Sequence, residues 1–493
     1  MRPISSHSQS LKELARLLSL KTDEEITFTG VTSNSKLVHP GDLFLAMPGF
    51  NQHGAHYLAE AKAKGAVAVL TDVEGARIIG PTFPVLVTNN VRAVSGEVTS
   101  WFYNHPLRAM QSVGITGTNG KTTTASLLFQ YWQLQSRTVG MIGTIGTIID
   151  HEEFSSTFTT PEASELQAIF ASMRERALTH MVMEVSSHSL AEGRIRGSHF
   201  DLAAFTNLSQ DHLDYHETME NYFNAKKALF TFEYADAGII NIDDPWGERL
   251  VSLSEIPVTT LSLLNPKADW HFTSITPLVR GGYEYSLRGV GGMLMEGRIS
   301  LIGEHNLFNM LMAVALGYAT GLDPIAMAHD SAKLVGAPGR LESVDLRQDY
   351  LALVDFAHTP DAVQSVLRAV RAITAGKIIA VLGCGGDRDP GKRPLMGQAL
   401  VDGSDIAIFT SDNPRSEDPA EIIRQMLGNL HENHNLIIDS DRRSAIALAI
   451  ATAEKGDTVI ILGKGHEKGQ EIQGIKVPFD DRIELAKAIE ALA

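Results

Sequence analysis

The sequence is poor in cysteine, with Cys384 alone among 493 residues. One thiol excludes an internal disulfide framework and a zinc site built from cysteines, and it fits a reducing compartment. Long apolar runs are also missing, since no stretch approaches the roughly 18 residues of a membrane span. The segment "MRPISSHSQSLKELARLLSL" carries charges within its apolar part, so we expect an amphipathic helix rather than a signal peptide. These absences predict a cytoplasmic protein without a membrane span.

Basic residues are fewer than acidic ones, 42 against 58, and the net charge is -16. No basic tract interrupts this excess, which argues against a nucleic-acid partner. The proportions of 44% hydrophobic and 20% charged residues are those of an ordinary globular protein. At roughly 150 residues per domain, the length predicts about three domains.

The apolar pattern predicts an α/β fold with three domains, over residues 1–107, 108–335 and 336–493. In the last of these, five apolar strand-like runs alternate with helical patterns, which predicts a doubly wound parallel sheet of the Rossmann-like type. Polar clusters follow these strands at 355–358, 383–389, 412–415 and 463–467. Because ligands bind beyond the carboxyl ends of parallel strands, we expect the four clusters to converge in one crevice.

A glycine-rich turn lies in "VGITGTNGKTTTASLL", residues 113–128. A strict P-loop has glycine where Ile115 stands, but Gly117 and Gly120 still let the backbone approach an anion. In this arrangement Lys121 reaches the outer phosphates and Thr122 can bind magnesium. The alternative interpretation is a simple helix start without a ligand.

A nucleoside triphosphate site also needs a carboxylate near the metal, and Glu184 follows the apolar run "MVM". His212 in "SQDHLDYH" is a second possible metal ligand. Taken alone, Glu184 also suits a helix cap, and His212 suits a loop histidine in ordinary hydrogen bonds.

Six motifs, in the order "GTNGKT", "EVSSH", "SQDHLDYH", "GEHNLFN", "PGRLE" and "DFAHTP", resemble those of the Mur ligases of peptidoglycan synthesis. The further motifs "GGDRD", "DNPR" and "GKGHE" resemble the branch of that family that adds the third residue of the peptide, in the version that accepts meso-diaminopimelate. The resemblance extends from Ser35 to Glu467. The sequence departs from the family pattern at four positions, which are Asn34, Lys36, Glu192 and Phe356.

The resemblance implies a central P-loop-type ATPase domain with a mostly parallel sheet, a small N-terminal UDP-binding domain and a C-terminal amino-acid-binding domain. It implies an ATP-dependent amide ligase that acts through an acyl phosphate. The implied substrates are UDP-N-acetylmuramoyl-L-alanyl-D-glutamate and meso-diaminopimelate, with ATP and Mg²⁺ required. We expect a monomer.

The resemblance also implies roles for individual residues. The implied catalytic residues are Lys121, His212, Lys226, Arg340 and His358. The implied ATP contacts are Gly117, Thr118, Asn119, Gly120, Lys121, Thr122, Thr123, Asn306, Arg340 and Asp355. The implied metal ligands are Thr122, Glu184, His212 and Lys226 as a carbamate. The implied contacts of the UDP substrate are Ser35, Thr159, Thr160, Ser186 and Arg194. The implied amino-acid contacts are Arg388, Asp412, Asn413, Pro414, Arg415, Gly463 and Glu467.

Two lysines adjoin in "YFNAKKALF", and helical spacing distinguishes them. Lys226 shares a face with Tyr222 and Phe223, whereas Lys227 shares the more polar face. The resemblance implies the carbamate at Lys226, through the flanking Tyr, Ala-Lys and Phe, and the helical spacing agrees because a carbamate requires a neutral, desolvated amine. Without the resemblance, a surface lysine would be the default interpretation.

Three alternatives remain open from the sequence. The first is the same ligase with L-lysine as its substrate, which lacks the distal carboxylate that Arg415 would bind as a bidentate pair. A ligase similar to folylpolyglutamate synthase would share the phosphate loop but is expected to lack "TTPE" and "DNPR". A nucleotide-sensing scaffold without chemistry is expected to lack Lys121, Glu184 or His212, and all three are present.

Overall fold

The computed structural model describes residues 2–5, 7–49, 52–154, 158–278, 282–428, 430 and 435–492. These residues form three α/β domains, each built on its own largely parallel sheet, which confirms the predicted fold class. In this part of the chain, no helix is both long enough and apolar enough to cross a membrane.

The N-terminal domain contains a four-stranded parallel sheet in the order β3-β4-β5-β6. Its strands are β1 Gln9–Ser10, β2 Thr27–Phe28, β3 Gly30–Thr32, β4 Asp42–Ala46, β5 Ala68–Thr71 and β6 Val85–Val87. Its helices are α1 Leu11–Leu17, α2 Leu58–Ala63, α3 Val73–Ile79 and α4 Val91–Phe102.

The helix expected over the first twenty residues covers only Leu11–Leu17. Ser10 starts it, because the Ser10 side chain accepts from the backbone N–H of Glu13 while the Glu13 carboxylate accepts from the backbone N–H of Ser10. This capping box fixes the helix start. The two residues before α1 pair with β2 as a strand instead.

The central domain is built on an eight-stranded sheet in the order β10-β9-β8-β11-β7-β12-β13-β14, parallel except for the β8-β9-β10 meander. Its strands are β7 Gln111–Thr116, β8 Val139–Gly143, β9 Gly146–Ile149, β10 Glu152–Phe154, β11 His180–Glu184, β12 Phe200–Phe205, β13 Ala235–Asn241 and β14 Val258–Leu261. The helices are α5 Lys121–Leu134, α6 Ala163–Glu175, α7 Ser187–Ala191, α8 Leu213–His216, α9 Met219–Lys227, α10 Pro245–Leu253, α11 Glu304–Ala319 and α12 Pro324–Asp330.

A separate three-stranded antiparallel sheet precedes α11, and the sequence analysis did not identify it. Its strands are β15 His271–Pro277, β16 Tyr283–Arg288 and β17 Leu294–Ile299. Trp270, Tyr285 and Ile299 pack into the same buried cluster as α5 and α11. Because α11 is covered on several sides, it is apolar around its whole circumference.

The C-terminal domain has a six-stranded sheet in the order β18-β19-β23-β20-β21-β22, in which only β18 is antiparallel. Its strands are β18 Glu342–Ser343, β19 Leu351–Asp355, β20 Ile378–Cys384, β21 Ile406–Ser411, β22 Leu436–Ile438 and β23 Thr458–Leu462, and a hairpin of β24 Gly469–Ile472 and β25 Ile475–Pro478 follows. The helices are α13 Pro360–Arg371, α14 Arg393–Gly403, α15 Pro419–Leu427, α16 Arg442–Thr452 and α17 Asp481–Glu490. The first three helices cover one face and the last two cover the other, as a doubly wound sheet requires.

A buried ion pair joins the starts of α16 and α17 at the carboxyl ends of strands β21 and β23. Arg442 donates to both carboxylate oxygens of Asp481, at 2.7 and 2.6 Å, and neither side chain is exposed. The same guanidinium donates to the carbonyls of Ser411 and Leu462, which end β21 and β23. The pair therefore fixes the strand ends next to two of the predicted amino-acid-binding segments.

We expect Asp481→Asn to lower the free energy of unfolding of the C-terminal domain by about 3–5 kcal/mol, because it leaves the buried Arg442 charge without its partner. The exposed pair Arg424–Glu421 offers a control, and Glu421→Gln should leave stability close to that of the unmodified protein, because solvent screens an exposed ion pair. Urea unfolding of both variants measures the difference. Equal stability of the two variants would contradict this assignment.

Candidate active site

The predicted phosphate loop lies between β7 and α5. Gly117 and Gly120 have φ angles of 147° and 85°, and a side chain at either position would collide with Thr206 or Asn309. The Lys121 Nζ atom donates to the carbonyls of Gly117, at 3.0 Å, and Thr118, at 2.9 Å. An ammonium has three N–H groups, so one remains for a ligand oxygen.

Glu184 ends β11 and faces the start of α5. The Thr122 hydroxyl donates to Glu184 Oε2 at 2.9 Å, and the backbone N–H of Thr144 donates to Oε1 at 2.8 Å. Because β7 and β11 are adjacent and parallel, their carboxyl ends bring the loop and this carboxylate together. The sequence did not indicate Thr144 as a partner of Glu184.

Arg340 reaches the same position from the connection into the C-terminal domain. Its Nη2 atom lies 3.5 Å from Thr122 Oγ1, and its guanidinium stacks 4.6 Å from the centre of the Phe356 ring. Phe356 departs from the family motif, but its aromatic ring still packs against the Arg340 guanidinium. The buried Nε atom of Arg340 has no hydrogen-bond partner among the described residues, so a donor is available for an anionic ligand.

His212 lies beside the buried carboxylate of Asp211, which was not among the predicted site residues. Burial lowers the pKa of His212 to about 3, which keeps its imidazole neutral, the form that binds a metal ion. Its Nε2 atom is 3.4 Å from Asp211 Oδ2. Asp211 is also 3.1 Å from Lys392 Nζ and 3.7 Å from His358 Nε2, both from the C-terminal domain. Asp211 thus joins the two domains beside His212.

Lys226 is buried beneath the phosphate loop, with 1% of its surface exposed, whereas Lys227 is partly exposed. Its Nζ atom donates to the Gly117 carbonyl at 2.7 Å and lies 4.5 Å from the centre of the Tyr222 ring. Burial first, and the charge of Lys121 second, hold the pKa of Lys226 well below its usual value. The neutral amine that a carbamate requires is therefore favoured at this position.

The donor set around the loop fits a hard divalent cation. The described residues contain no group of three His, Cys, Asp or Glu side chains placed to hold a metal ion. Mg²⁺ does not need such a group, since it commonly binds one or two carboxylates together with substrate phosphates and water. The hydrogen-bonded Thr122 hydroxyl and Glu184 carboxylate offer ligands of this kind.

A second cavity, next to the phosphate loop, contains Asn306 and Asp355. It shares Asn119, Gly120 and Arg340 with the main cleft. Asp355 ends β19, and its carboxylate accepts from the backbone N–H groups of Leu341 and Ala357, both at 2.7 Å. Asn306 is held by its donation to the Ile302 carbonyl at 2.9 Å. Thr123 lines the same cavity.

The residues implied for the UDP substrate divide into two places. Thr159 and Ser186 line the main cleft, and the Thr160 hydroxyl donates to the Glu184 carbonyl directly behind it. Ser35 lies in a separate groove of the N-terminal domain that residues 33–36, 47–49 and Arg92 help to form.

Arg194 is engaged by two carboxylates in this structure. Its Nη2 atom lies 2.6 Å from Glu192, and its Nε atom lies 3.3 Å from Glu162. Glu192 occurs where glutamine is common in the family, so this departure from the pattern creates an ion pair. A substrate group that binds Arg194 would have to compete with Glu192.

The residues implied for the amino acid gather at the carboxyl ends of β20, β21 and β23. Arg415 has a φ of 51°, and its Nη1 atom donates to the Gly386 carbonyl at 2.6 Å. Glu471 of β24 lies 3.5 Å from its Nε atom. Arg388 is exposed at the rim, and Asp412, Asn413 and Pro414 are buried.

Cys384 also lines the cleft. Burial raises the pKa of its thiol to about 12, so this thiol is unreactive.

One continuous cleft of about 420 Å³ brings these groups together. Its phosphate side is lined by Thr118, Asn119, Gly120, Lys121, Thr122, Glu184, His212, Arg340 and His358, and its amino-acid side by Arg388, Asp412, Asn413, Arg415, Gly463 and Glu467. Lys226 lies behind the loop, and Ser35 lies outside the cleft.

Three family models match the chain, and together they extend over most of it. The Mur ligase family catalytic domain matches residues 27–100, the Mur ligase middle domain 115–317, and the Mur ligase glutamate ligase domain 339–465. The chain belongs to the Mur ligase family.

Its relatives include proteins named UDP-N-acetylmuramoyl-L-alanyl-D-glutamate--2,6-diaminopimelate ligase. The one from Streptomyces avermitilis is 45% identical, over 99% of this chain and 98% of its own length. The one from Corynebacterium glutamicum is 41% identical, over 95% and 92%. A solved structure with the same name is 33% identical, with a TM-score of 0.69 over 98% of this chain and 99% of its own. A Mycobacterium tuberculosis folylpolyglutamate synthase, 19% identical with a TM-score of 0.63 over 75% and 92%, shares the fold alone.

Proposed function

We propose that this chain joins meso-diaminopimelate to the D-glutamate side-chain carboxylate of UDP-N-acetylmuramoyl-L-alanyl-D-glutamate, at the expense of ATP. The observation that carries the proposal is the single cleft in which a phosphate loop faces a pocket of paired positive and negative groups. The full-length relatives with this name support the choice of substrates. We propose a cytoplasmic monomer.

The reaction begins with transfer of the γ-phosphoryl group of ATP to a carboxylate oxygen of the dipeptide. A carboxylate is a poor electrophile, and this transfer converts its oxygen into a leaving group. The neutral amine of the amino acid then attacks the acyl carbon, an amide forms, and phosphate leaves with the bonding electrons. Lys121 and Arg340 offset the negative charge that two anionic reactants bring together.

Thr122, Glu184 and His212 are the residues that would hold Mg²⁺, with Lys226 as a carbamate. When bound, Mg²⁺ neutralises phosphate charge and aligns the reacting oxygens. The carbamate forms when the neutral Lys226 nitrogen attacks CO₂ and loses a proton, which creates a carboxylate-like anion. This change replaces the repulsion between Lys226 and Lys121 by attraction.

The remaining contacts fall in the cavity next to the loop, in the groove of the N-terminal domain and in the main cleft. Asn306 and Asp355 would contact the nucleoside of ATP in the cavity next to the loop. Ser35 and the groove around it would take the uridine diphosphate end, and Thr159, Thr160, Ser186 and Arg194 the sugar-peptide part. Arg415 and Arg388 would bind the distal carboxylate of the amino acid, and Asp412 and Glu467 its ammonium.

We expect a preference for meso-diaminopimelate over L-lysine of at least about 10³ in kcat/KM, because lysine lacks the distal carboxylate that would bind Arg415 as a bidentate pair. Phosphate release measured with each amino acid, ATP and the UDP-dipeptide tests this. Arg415→Lys should collapse the ratio by harming diaminopimelate, since an ammonium cannot form the bidentate pair.

The exposed Arg424 provides a matched control on the same domain, and Arg424→Lys should leave the ratio unchanged. Comparable efficiency with both amino acids in the unmodified enzyme would contradict the specificity and favour the L-lysine alternative. Absence of turnover with either one would contradict the ligase proposal itself.

A further inference from the structure

A buried lysine, Lys464, lies beneath the amino-acid side of the cleft and does not line the cleft itself. Lys464 follows β23, between Gly463 and Glu467, which is a predicted contact of the amino acid. The Lys464 side chain has no exposed area. A buried lysine is rare unless its charge is paired. None of the roles proposed above uses this residue.

All three N–H groups of the Lys464 ammonium have acceptors. Nζ donates to Asn413 Oδ1 at 3.0 Å, to Glu467 Oε2 at 2.9 Å and to the Gly469 carbonyl at 2.8 Å. Asp412 Oδ1 lies 3.9 Å from the same atom. One buried charge thus links the loop after β21, the loop after β23 and the start of the β24–β25 hairpin.

These bonds determine which way the Asn413 amide points. Its Oδ1 atom accepts from Lys464 and from the backbone N–H of Glu471, at 2.9 Å, so its Nδ2 atom must face Glu467. Nδ2 then donates to Glu467 Oε2 at 2.8 Å. Oε2 is therefore held by two donors, while Oε1 has no hydrogen-bond partner in the described part of the chain. Glu467 lines the cleft with this oxygen free for a ligand.

Lys464 also offsets the negative charges of Asp412 and Glu467 beneath the amino-acid side of the cleft. Asp412 and Glu467 together carry two negative charges when ionised, and Lys464 supplies one positive charge. Burial acts to raise the pKa of Glu467, but the charge of Lys464 and the bonds from Lys464 and Asn413 outweigh it and lower the pKa. Burial raises the pKa of the Asp412 carboxyl, so Glu467 is the carboxylate that Lys464 keeps anionic for an ammonium group of the incoming amino acid.

We propose that Lys464 is the positioning residue of the amino-acid site, which fixes the Asn413 amide and the Glu467 carboxylate so that one free carboxylate oxygen receives the ligand's ammonium. This inference rests on the proposed function, since it assumes an amino acid in this pocket. Lys464 itself does not touch the ligand. Its removal should weaken amino-acid binding and spare the activation of the UDP-dipeptide, which takes place at the phosphate loop.

Two assays separate these steps. Hydroxylamine traps an acyl phosphate as a hydroxamate without any amino acid, and complete turnover gives kcat and KM for meso-diaminopimelate. In Lys464→Met and in the more polar Lys464→Gln, hydroxamate formation should stay within twofold of the unmodified enzyme. The KM for meso-diaminopimelate should rise at least tenfold, with a smaller change in kcat. Lys468→Met is the control, since Lys468 is exposed and four residues away, and it should leave both assays unchanged.

Three results would overturn the inference. The first is a KM within twofold of the unmodified enzyme in a folded variant. The second is a parallel loss of hydroxamate formation, which would indicate a general structural role. The third is unfolding of both variants by circular dichroism, which would assign Lys464 to stability. If the unmodified enzyme forms no hydroxamate with the UDP-dipeptide, the proposed function fails first, and the inference fails with it.

Discussion

Replacing Lys121 with alanine should lower the ligation rate by roughly 10³-fold or more while the protein remains folded, which corresponds to about 4 kcal/mol of transition-state stabilisation. The physical reason is that its ammonium, now held by the carbonyls of Gly117 and Thr118, keeps one N–H for the transferred phosphoryl group. Initial rates of phosphate release with saturating substrates measure the loss.

Lys455→Ala is the matched control, because Lys455 is 84% exposed and lies far along the chain in the C-terminal domain. Circular dichroism and thermal unfolding should be the same for both variants. A folded Lys121→Ala protein with near-normal turnover would show that the loop does not act on phosphate.

Replacing Lys226 with alanine should nearly abolish ligation, whereas Lys227→Ala should be mild. Only Lys226 is buried beside the Gly117 carbonyl, where a carbamate would supply an anionic metal ligand. Short carboxylic acids that enter the vacated space should restore part of the activity of Lys226→Ala.

A readout independent of turnover comes from ¹³C-labelled bicarbonate. A protein-bound carbamate resonance should be present in the unmodified enzyme and in Lys227→Ala, and missing from Lys226→Ala. The opposite ranking of the two lysines would show that the modification was assigned to the wrong residue.

The fold class was predictable because its signals are local. Runs such as those of β20, β21 and β23 are apolar and bounded by glycine and polar clusters, so strand type and parallel order follow from the pattern. The antiparallel sheet of β15, β16 and β17 was missed, because buried and exposed residues do not alternate regularly along its strands. The first helix was overextended because the Ser10 cap was not recognised.

The sequence motifs predicted those site residues that lie within the motifs themselves. The structure places the loop, Glu184, Arg340 and residues of the "DNPR" segment around one cleft. The strand-end argument had covered the polar clusters of the C-terminal domain, and Arg340 came from the resemblance. The roles of these residues remain proposals. Asp211, Lys392 and Lys464 were not selected, since each acts through a contact between segments far apart in the chain. Such pairings depend on tertiary geometry that a single sequence does not display, although Asp211 adjoins His212 within a motif already noted.

The position of Asp211 has a thermodynamic consequence. Its carboxylate is shared between His212 of its own domain and Lys392 and His358 of the C-terminal domain. A movement that separates the domains would strip a buried carboxylate of two partners and change the surroundings of His212 at once. If His212 holds a cation, as proposed, docking of the C-terminal domain and occupancy of that site would be coupled, and the coupling free energy would be reciprocal. An amino acid that favours the docked arrangement would then tighten cation binding, and the cation would tighten binding of the amino acid by the same factor.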